Sequence, residues 1–296
     1  MTLIVAKIEE DNIQILSDTR LFDKYLGAEN PLNGQLKTVI LNPSTTLSYS
    51  GLLDFANDLL SEYYQGKIPN LNSLIIRCLE INRKSGDQTW FLISYLINNK
   101  PYLVKINAYN IQNNLKVAWL GHADAFSKYQ EFYHSSEKSP PFDKMEDAFD
   151  KVIGKEVKDE VGDFVIRVTN ENDATGKIQY LGYQVNRIKY IGPYEIETFD
   201  SNKFMIKHAS AEKGGFGISY VRSFIPSRPA IGFHFHVGKF GILFFPEISR
   251  TSAILIKEAT GSKFCDAIKT KYGIDVQGLV FADNGLSIQH YNTIKE

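Results

Sequence analysis

Four residues near the start of the chain have types that could act together: Thr2, Asp18, Lys37 and the glycine of Ser50-Gly51. A threonine hydroxyl is a poor nucleophile until a base takes its proton. When threonine is the first residue, its own α-amine can serve, because an α-amine titrates near pH ~8 and is partly neutral in the cell. A buried lysine close by lowers the proton affinity of that amine and of the hydroxyl by like-charge repulsion. An aspartate orients the lysine and offsets its charge. A backbone N–H at a glycine leading into a helix can hold a developing oxyanion. Such a set transfers an acyl group from an amide. Met1 precedes Thr2, so the amine is bare only after the methionine leaves, and threonine is small enough at the second position for ordinary removal. With Met1 retained, the Thr2 nitrogen is an amide, which is no base, and the set is architecture without chemistry.

The elements that must position these residues can be read from apolar periodicity. Residues 2–8 predict a strand, a turn at Glu9-Glu10-Asp11-Asn12 returns the chain through Ile13–Ser17, and Asp18-Thr19-Arg20 ends that second strand. Lys37 opens a third strand stopped by Asn42-Pro43, and a fourth, Thr46–Ser50, runs into Gly51. Leu52, Phe55, Ala56, Leu59, Leu60, Tyr63 and Tyr64 then repeat at helical spacing, and Leu71, Leu74, Ile75, Cys78 and Leu79 do so again.

The order of these pieces resembles the front half of an N-terminal-nucleophile hydrolase of the proteasome β-subunit and HslV type. The resemblance rests on Ser-Asp18-Thr-Arg after a strand-turn-strand, on Lys37-Thr-Val-Ile-Leu-Asn-Pro43, and on the Gly51 lead-in to a helix. It covers roughly residues 2 to 190. It implies a four-layer αββα sandwich of α+β class, with Thr2 as nucleophile and base, Asp18 and Lys37 as the supporting pair, and the Gly51 amide in the oxyanion hole. The implied function is a threonine-type peptidase, with a silent scaffold or a small-molecule amidase or acyltransferase as alternatives. Self-association through the sandwich helices is implied too, and no cofactor.

Further along, residues 90–97 and 101–108 predict a hairpin across Asn98-Asn99-Lys100, and residues 115–120 a strand ending at Gly121-His122-Ala123-Asp124. The family carries a glycine and a small polar residue at this point, against the nucleophile's amine; His122 stands where a serine is common. A histidine at a strand–helix junction is ordinarily a cap or turn residue. His122 could instead carry a proton near neutral pH, oriented by Asp124. Two more helices are predicted, around Ala125–Tyr133 and Met145–Val157, then a strand from Phe164. Asp159 and Glu160, near the end of the fourth helix, are loose candidates to support the nucleophile.

Beyond residue 190 no resemblance is recognised. Residues 191–296 read as a strand-rich α+β extension with strands near 194–199, 204–208, 217–224, 231–237 and 240–245. A helix through Phe264, Ala267, Ile268 and Tyr272 is closed by Gly273, and two short strands flank Asp283-Asn284-Gly285. His234 and His236 alternate on one strand face, a spacing that two ligands of one metal can share, with His208 and Glu247 available. The plainer reading is a packed or hydrogen-bonded pair, and no metal is expected. The glycine-rich Lys213–Gly217 stretch lacks the lysine-serine ending of a phosphate loop and reads as a loop.

Composition bounds the rest. A chain of 296 residues with 43% hydrophobic content can bury one large core or two moderate ones. A net charge of -1 and a pI near 6.6 give no electrostatic reason to expect nucleic acid or an anionic membrane. Two cysteines far apart, Cys78 and Cys265, read as reduced thiols. No apolar run reaches ~18 residues and the start lacks the order of a signal peptide, so a cytoplasmic protein is expected.

Overall fold

The computed structural model describes residues 2–19, 34–153, 164–188, 194–198, 204–208, 218–223, 225–235, 238–281 and 289–290. Strands β1 (Leu3–Glu9) and β2 (Asn12–Asp18) form an antiparallel hairpin with Glu9 opposite Asn12. β3 (Thr38–Asn42) and β4 (Thr45–Gly51) form a second. Asn42 closes its turn, accepting from the amide and the hydroxyl of Ser44 at 2.9 Å each. Helices α1 (Leu53–Tyr64) and α2 (Leu71–Lys84) follow. Asn70 starts α2 by accepting from the Ser73 N–H at 2.9 Å, which satisfies one of the amides a helix start leaves unpaired.

β5 (Thr89–Ile97), β6 (Lys100–Asn107) and β7 (Asn110–Gln112) are a meander. Asn98 and Asn99 both take positive φ, 51° and 62°, in its first turn, as a tight hairpin requires. β8 (Val117–Gly121) leads into α3 (Ala123–Ser135) and α4 (Pro141–Lys151), the latter with proline at its start, where a missing N–H does no harm. Long strands β9 (Phe164–Asn172) and β10 (Ile178–Ile188) pair next. β11 (Tyr194–Thr198) and β12 (Phe204–His208) pair with each other.

The remaining elements are β13 (Ile218–Ser223), β14 (Ile231–Phe235), β15 (Phe240–Phe244), the short α5 (Pro246–Ser249), β16 (Ala253–Ile256), α6 (Gly261–Tyr272), β17 (Val276–Phe281) and β18 (Gln289–His290). Gly273 closes α6 in the left-handed conformation, φ 66°, as expected from sequence. Residues 154–163, with Asp159 and Glu160, lie outside the described residues, as do Lys213–Gly217, Asp283–Gly285 and Met1.

Helices and antiparallel strands make this an α+β fold. A first sheet has the order β10-β9-β2-β1-β8, a second β3-β4-β5-β6-β7, and a third β16-β15-β14-β13-β17-β18. Alternation along β1 and β2 divides their apolar residues between two clusters. Leu3, Val5 and Leu16 pack with Ala125, Tyr129, Met145, Ala148 and Phe149 of α3 and α4. Ile4, Ala6, Ile8, Ile13 and Ile15 pack with Val39, Leu47, Phe91 and Ile93 of the second sheet and with Ala56, Leu59, Leu74 and Cys78 of α1 and α2.

The third sheet also has two faces. Ile231, Phe233, Phe235, Phe240, Ile242 and Phe244 join the large cluster of the first two sheets. The opposite face is covered by α6, where Phe264 and Ile268 meet Val221, Leu243 and Ile256. Gly241 makes room there: a Cβ at this position would stand 2.4 Å from the Phe264 ring. The C-terminal strands therefore share a core with the N-terminal ones.

Candidate functional site

Asp18 and Lys37 are joined directly, and short contacts from them reach Leu3, next to Thr2, and Tyr49, two residues before Gly51. The Leu3 N–H, next to Thr2, donates to Asp18 Oδ1 at 2.9 Å. Lys37 Nζ donates to Asp18 Oδ2 at 2.6 Å, and both side chains are almost wholly withdrawn from solvent, at 4% and 0% exposure. The Lys37 carbonyl accepts from the Tyr49 N–H at 3.1 Å. Tyr49 precedes Ser50 and Gly51, which end β4.

Each placement follows from local structure. Asp18 is the last residue of β2 and faces the start of β1 because the hairpin register pairs Ile4 with Ser17. Lys37 continues the β3 ladder by one step, since Thr38 pairs with Ser48. Gly51 has φ 100°, and a Cβ there would stand 1.8 Å from the Gln88 carbonyl oxygen, so only glycine fits. Leu52 takes the cap position of α1 and makes no side-chain cap, which leaves the first amides of that helix without a capping side chain.

A second glycine sets Thr2 itself. Gly121 has φ 110°, and a Cβ would lie 1.8 Å from the Thr2 carbonyl oxygen. The His122 N–H donates to that oxygen at 2.8 Å. His122 is half-buried and is the cap residue of α3, without a side-chain cap bond. Asp124 is exposed in the first turn of α3, where a negative charge complements the helix dipole. The six residues named from sequence thus lie on connected elements, with Asp124 at the outer rim.

The surroundings add residues that sequence reasoning missed. Tyr49 is buried, and among the described residues its hydroxyl has no partner in bonding geometry. Burial pushes its phenol well up; the neighbouring Thr251 hydroxyl acts in the opposite sense, and the charge of Asp18 adds to the rise. Thr251 reaches this point from the far end of the chain, through contacts with Gln35 and Asn57 at 2.7 Å each. No local pattern could have announced it.

Of the two histidines named near 231–237, His234 lies in β14. His234 is fully buried, its Nε2 lies 2.8 Å from the Glu258 carbonyl oxygen, and its ring sits 5.6 Å from that of Phe264. His236 and the side chain of His208 lie outside the described residues, and Glu247 is paired with Arg228 at 2.8 Å. A cavity of about 510 Å³ lies at the other end of the β3–β4 hairpin, lined by Asn42, Thr45, Tyr63, Tyr64, Ser227 and Glu247 among others.

No protein-family model matches the chain. No curated protein matches it in sequence. Among solved structures, the chain is similar to eukaryotic HslV from Trypanosoma brucei, with 12% identity and a TM-score of 0.41, over 57% of this chain and 98% of that one. A likeness of that size carries no weight for function. Among the described residues no helix is long and apolar enough to cross a membrane.

Proposed function

We propose that the chain is a threonine-type amide-bond hydrolase acting on peptides through Thr2 once Met1 has been removed. The observation that carries this reading is the buried Lys37–Asp18 pair, whose aspartate also binds the amide of Leu3, the residue after Thr2. A surface pair would be worth little to fold or chemistry. A buried pair has to be held by its surroundings, and here its aspartate also accepts from the amide of the residue that follows Thr2.

In the proposed reaction the Thr2 α-amine takes the proton of Oγ1, and Oγ1 attacks the substrate carbonyl. The amide C–N bond breaks, the leaving amine takes that proton, and an ester forms on Thr2. Water then hydrolyses the ester, with the same amine relaying the proton. Lys37 lowers the proton affinity of both groups, and Asp18 fixes Lys37. The Gly51 amide, beside the uncapped start of α1, receives the oxyanion. His122, oriented by Asp124, is proposed as a proton carrier at the Thr2 end.

The same proposal includes the four-layer αββα arrangement: α1 and α2, the second sheet, the first sheet, then α3 and α4. It treats residues 1–190 as the hydrolase unit and 191–296 as an extension sharing its core. Self-association through the sandwich helices and a cytoplasmic location belong to it as well.

The test starts with intact mass, which should lack one methionine. A threonine-directed electrophile should then add once, and the adduct should vanish in Thr2→Ala. It should form on the order of 100-fold more slowly in Lys37→Ala. Retained Met1, or an adduct that survives in Thr2→Ala, overturns the reading and leaves a scaffold. Turnover of simple amides but not peptides would move the substrate class to small molecules.

A further inference from the structure

Among the described residues, the turn at Arg250 and Thr251 brings the C-terminal part of the chain against the Lys37 segment and α1. Arg250 takes φ 60°, where residues with side chains are rarely found. Its guanidinium holds it there, donating from Nε to Ser61 Oγ at 3.1 Å and lying 5.0 Å from the centre of the Tyr64 ring. Thr251 Oγ1 lies 2.7 Å from Asn57 Oδ1. Asn57, Ser61 and Tyr64 stand at i, i+4 and i+7 along α1, so the turn runs down one stripe of the helix that begins just past Gly51.

The other side of the turn meets the segment that carries Lys37. The Leu36 N–H donates to the Thr251 carbonyl at 2.9 Å, and Gln35 bridges Ser252 in antiparallel fashion. Thr251 Oγ1 is also 2.7 Å from Gln35 Oε1. One hydroxyl hydrogen cannot serve two amide oxygens, so one of the two amides turns its NH₂ toward Thr251. The Gln35 N–H donates in turn to the Thr19 carbonyl at 2.7 Å, beside Asp18. Thr251 is fully buried at the centre of these contacts.

We propose that Thr251 is a positioning residue for the Thr2 site: its turn wedges the Gln35–Lys37 segment against α1 and so sets Lys37 relative to Asp18 and Gly51. The catalytic consequence rests on the hydrolase reading, whereas the wedge itself does not. The reaction site is thus completed by a segment more than two hundred residues away, Thr251 and Gln35 being 216 positions apart. The extension has a stated task, which is to hold the lysine in place.

The experiment compares Thr251→Val, which keeps the branched shape and removes the hydroxyl, with Thr251→Ser, which restores it. One readout is hydrogen exchange of the Gln35–Lys37 amides. The other is the rate and pH profile of acylation at Thr2 by the electrophile. Thr251→Val should exchange those amides about tenfold faster. It should acylate about tenfold more slowly, with a displaced pH midpoint and unchanged affinity for the electrophile. Thr251→Ser should behave as wild type. Unchanged exchange in Thr251→Val overturns the wedge. Faster exchange with the same acylation rate and pH midpoint overturns the positioning role. A wild-type protein that takes no adduct at Thr2 ends the hydrolase reading and the positioning role with it, while the exchange measurement still decides the wedge. Should Thr251→Val fail to fold, Gln35→Met removes the other partner and carries the same two readouts.

Discussion

Lys37 and Asp18 share a 2.6 Å ion pair that neither solvent nor a surface position weakens. Removing one partner strands the other charge in the interior. Lys37→Met and Asp18→Asn should therefore each cost about 3–5 kcal/mol. The double variant should cost clearly less than the sum, since it leaves no lone ion. Urea denaturation of the four proteins gives the coupling, and additivity within about 0.5 kcal/mol would show that the two groups do not act as a pair.

Gly51 and Gly121 are both at positive φ, 100° and 110°, and both face a carbonyl oxygen that a Cβ would meet at 1.8 Å. Alanine at either place should cost well over 2 kcal/mol. Gly176, at φ 78° with nothing within 4 Å of its would-be Cβ, is the comparison. Gly176→Ala should cost only about 1 kcal/mol, the strain of the backbone alone. Thermal melts of the three variants separate contact from conformation; equal losses would contradict the geometry.

Lys105 lies buried between the rings of Trp90 and Trp119, with Nζ 5.8 and 4.8 Å from their centres. Burial lowers its proton affinity below that of a free lysine. The unfolded chain therefore binds more protons between the lowered value and 10.5, and stability should rise with pH through that window. Lys105→Met should melt higher than wild type near neutral pH, where the charged amine is at its full cost. Its advantage should shrink as pH climbs toward 10.5. An advantage that grows with pH would reverse the sign of the argument.

The two thiols should differ in reach. Burial pushes the Cys265 thiol up to about 11 and the Cys78 thiol further still. Cys78 is fully buried in α2, whereas Cys265 is half-buried on α6. In the native protein at pH 8, a disulfide reagent should modify Cys265 slowly and Cys78 only at the rate of unfolding. Labelling of Cys78 at the native rate of Cys265 would mean that α2 opens on its own.

The front of the chain was legible because its strands are short apolar runs, buried along nearly their whole length and bounded by polar turns, with Gly51 at positive φ before the first helix. The six named site residues came from that part and from the strand–helix junction at Gly121. β10 went unassigned for a physical reason. Its pairing with β9 slips between Tyr180 and Tyr183 and again between Val185 and Arg187, so its buried tyrosines fall three apart and mimic no strand period. The short β7, β16 and α5 went unassigned too, being 3 to 4 residues each, too brief for a periodicity to register. Thr251, Gln35 and Tyr49 carry no motif; they matter through contacts between distant segments, which a single sequence does not display.

Leu3 and Val5 belong to one apolar cluster and Ile4 and Ala6 to the other, so β1 is a party wall between two rooms. Sliding it by one residue would turn every tenant to the wrong side at once. The location of Thr2 is thereby dictated by greasy neighbours on both sides of the strand, and loosening either room should shift the threonine while the Asp18–Lys37 pair keeps its own side chains.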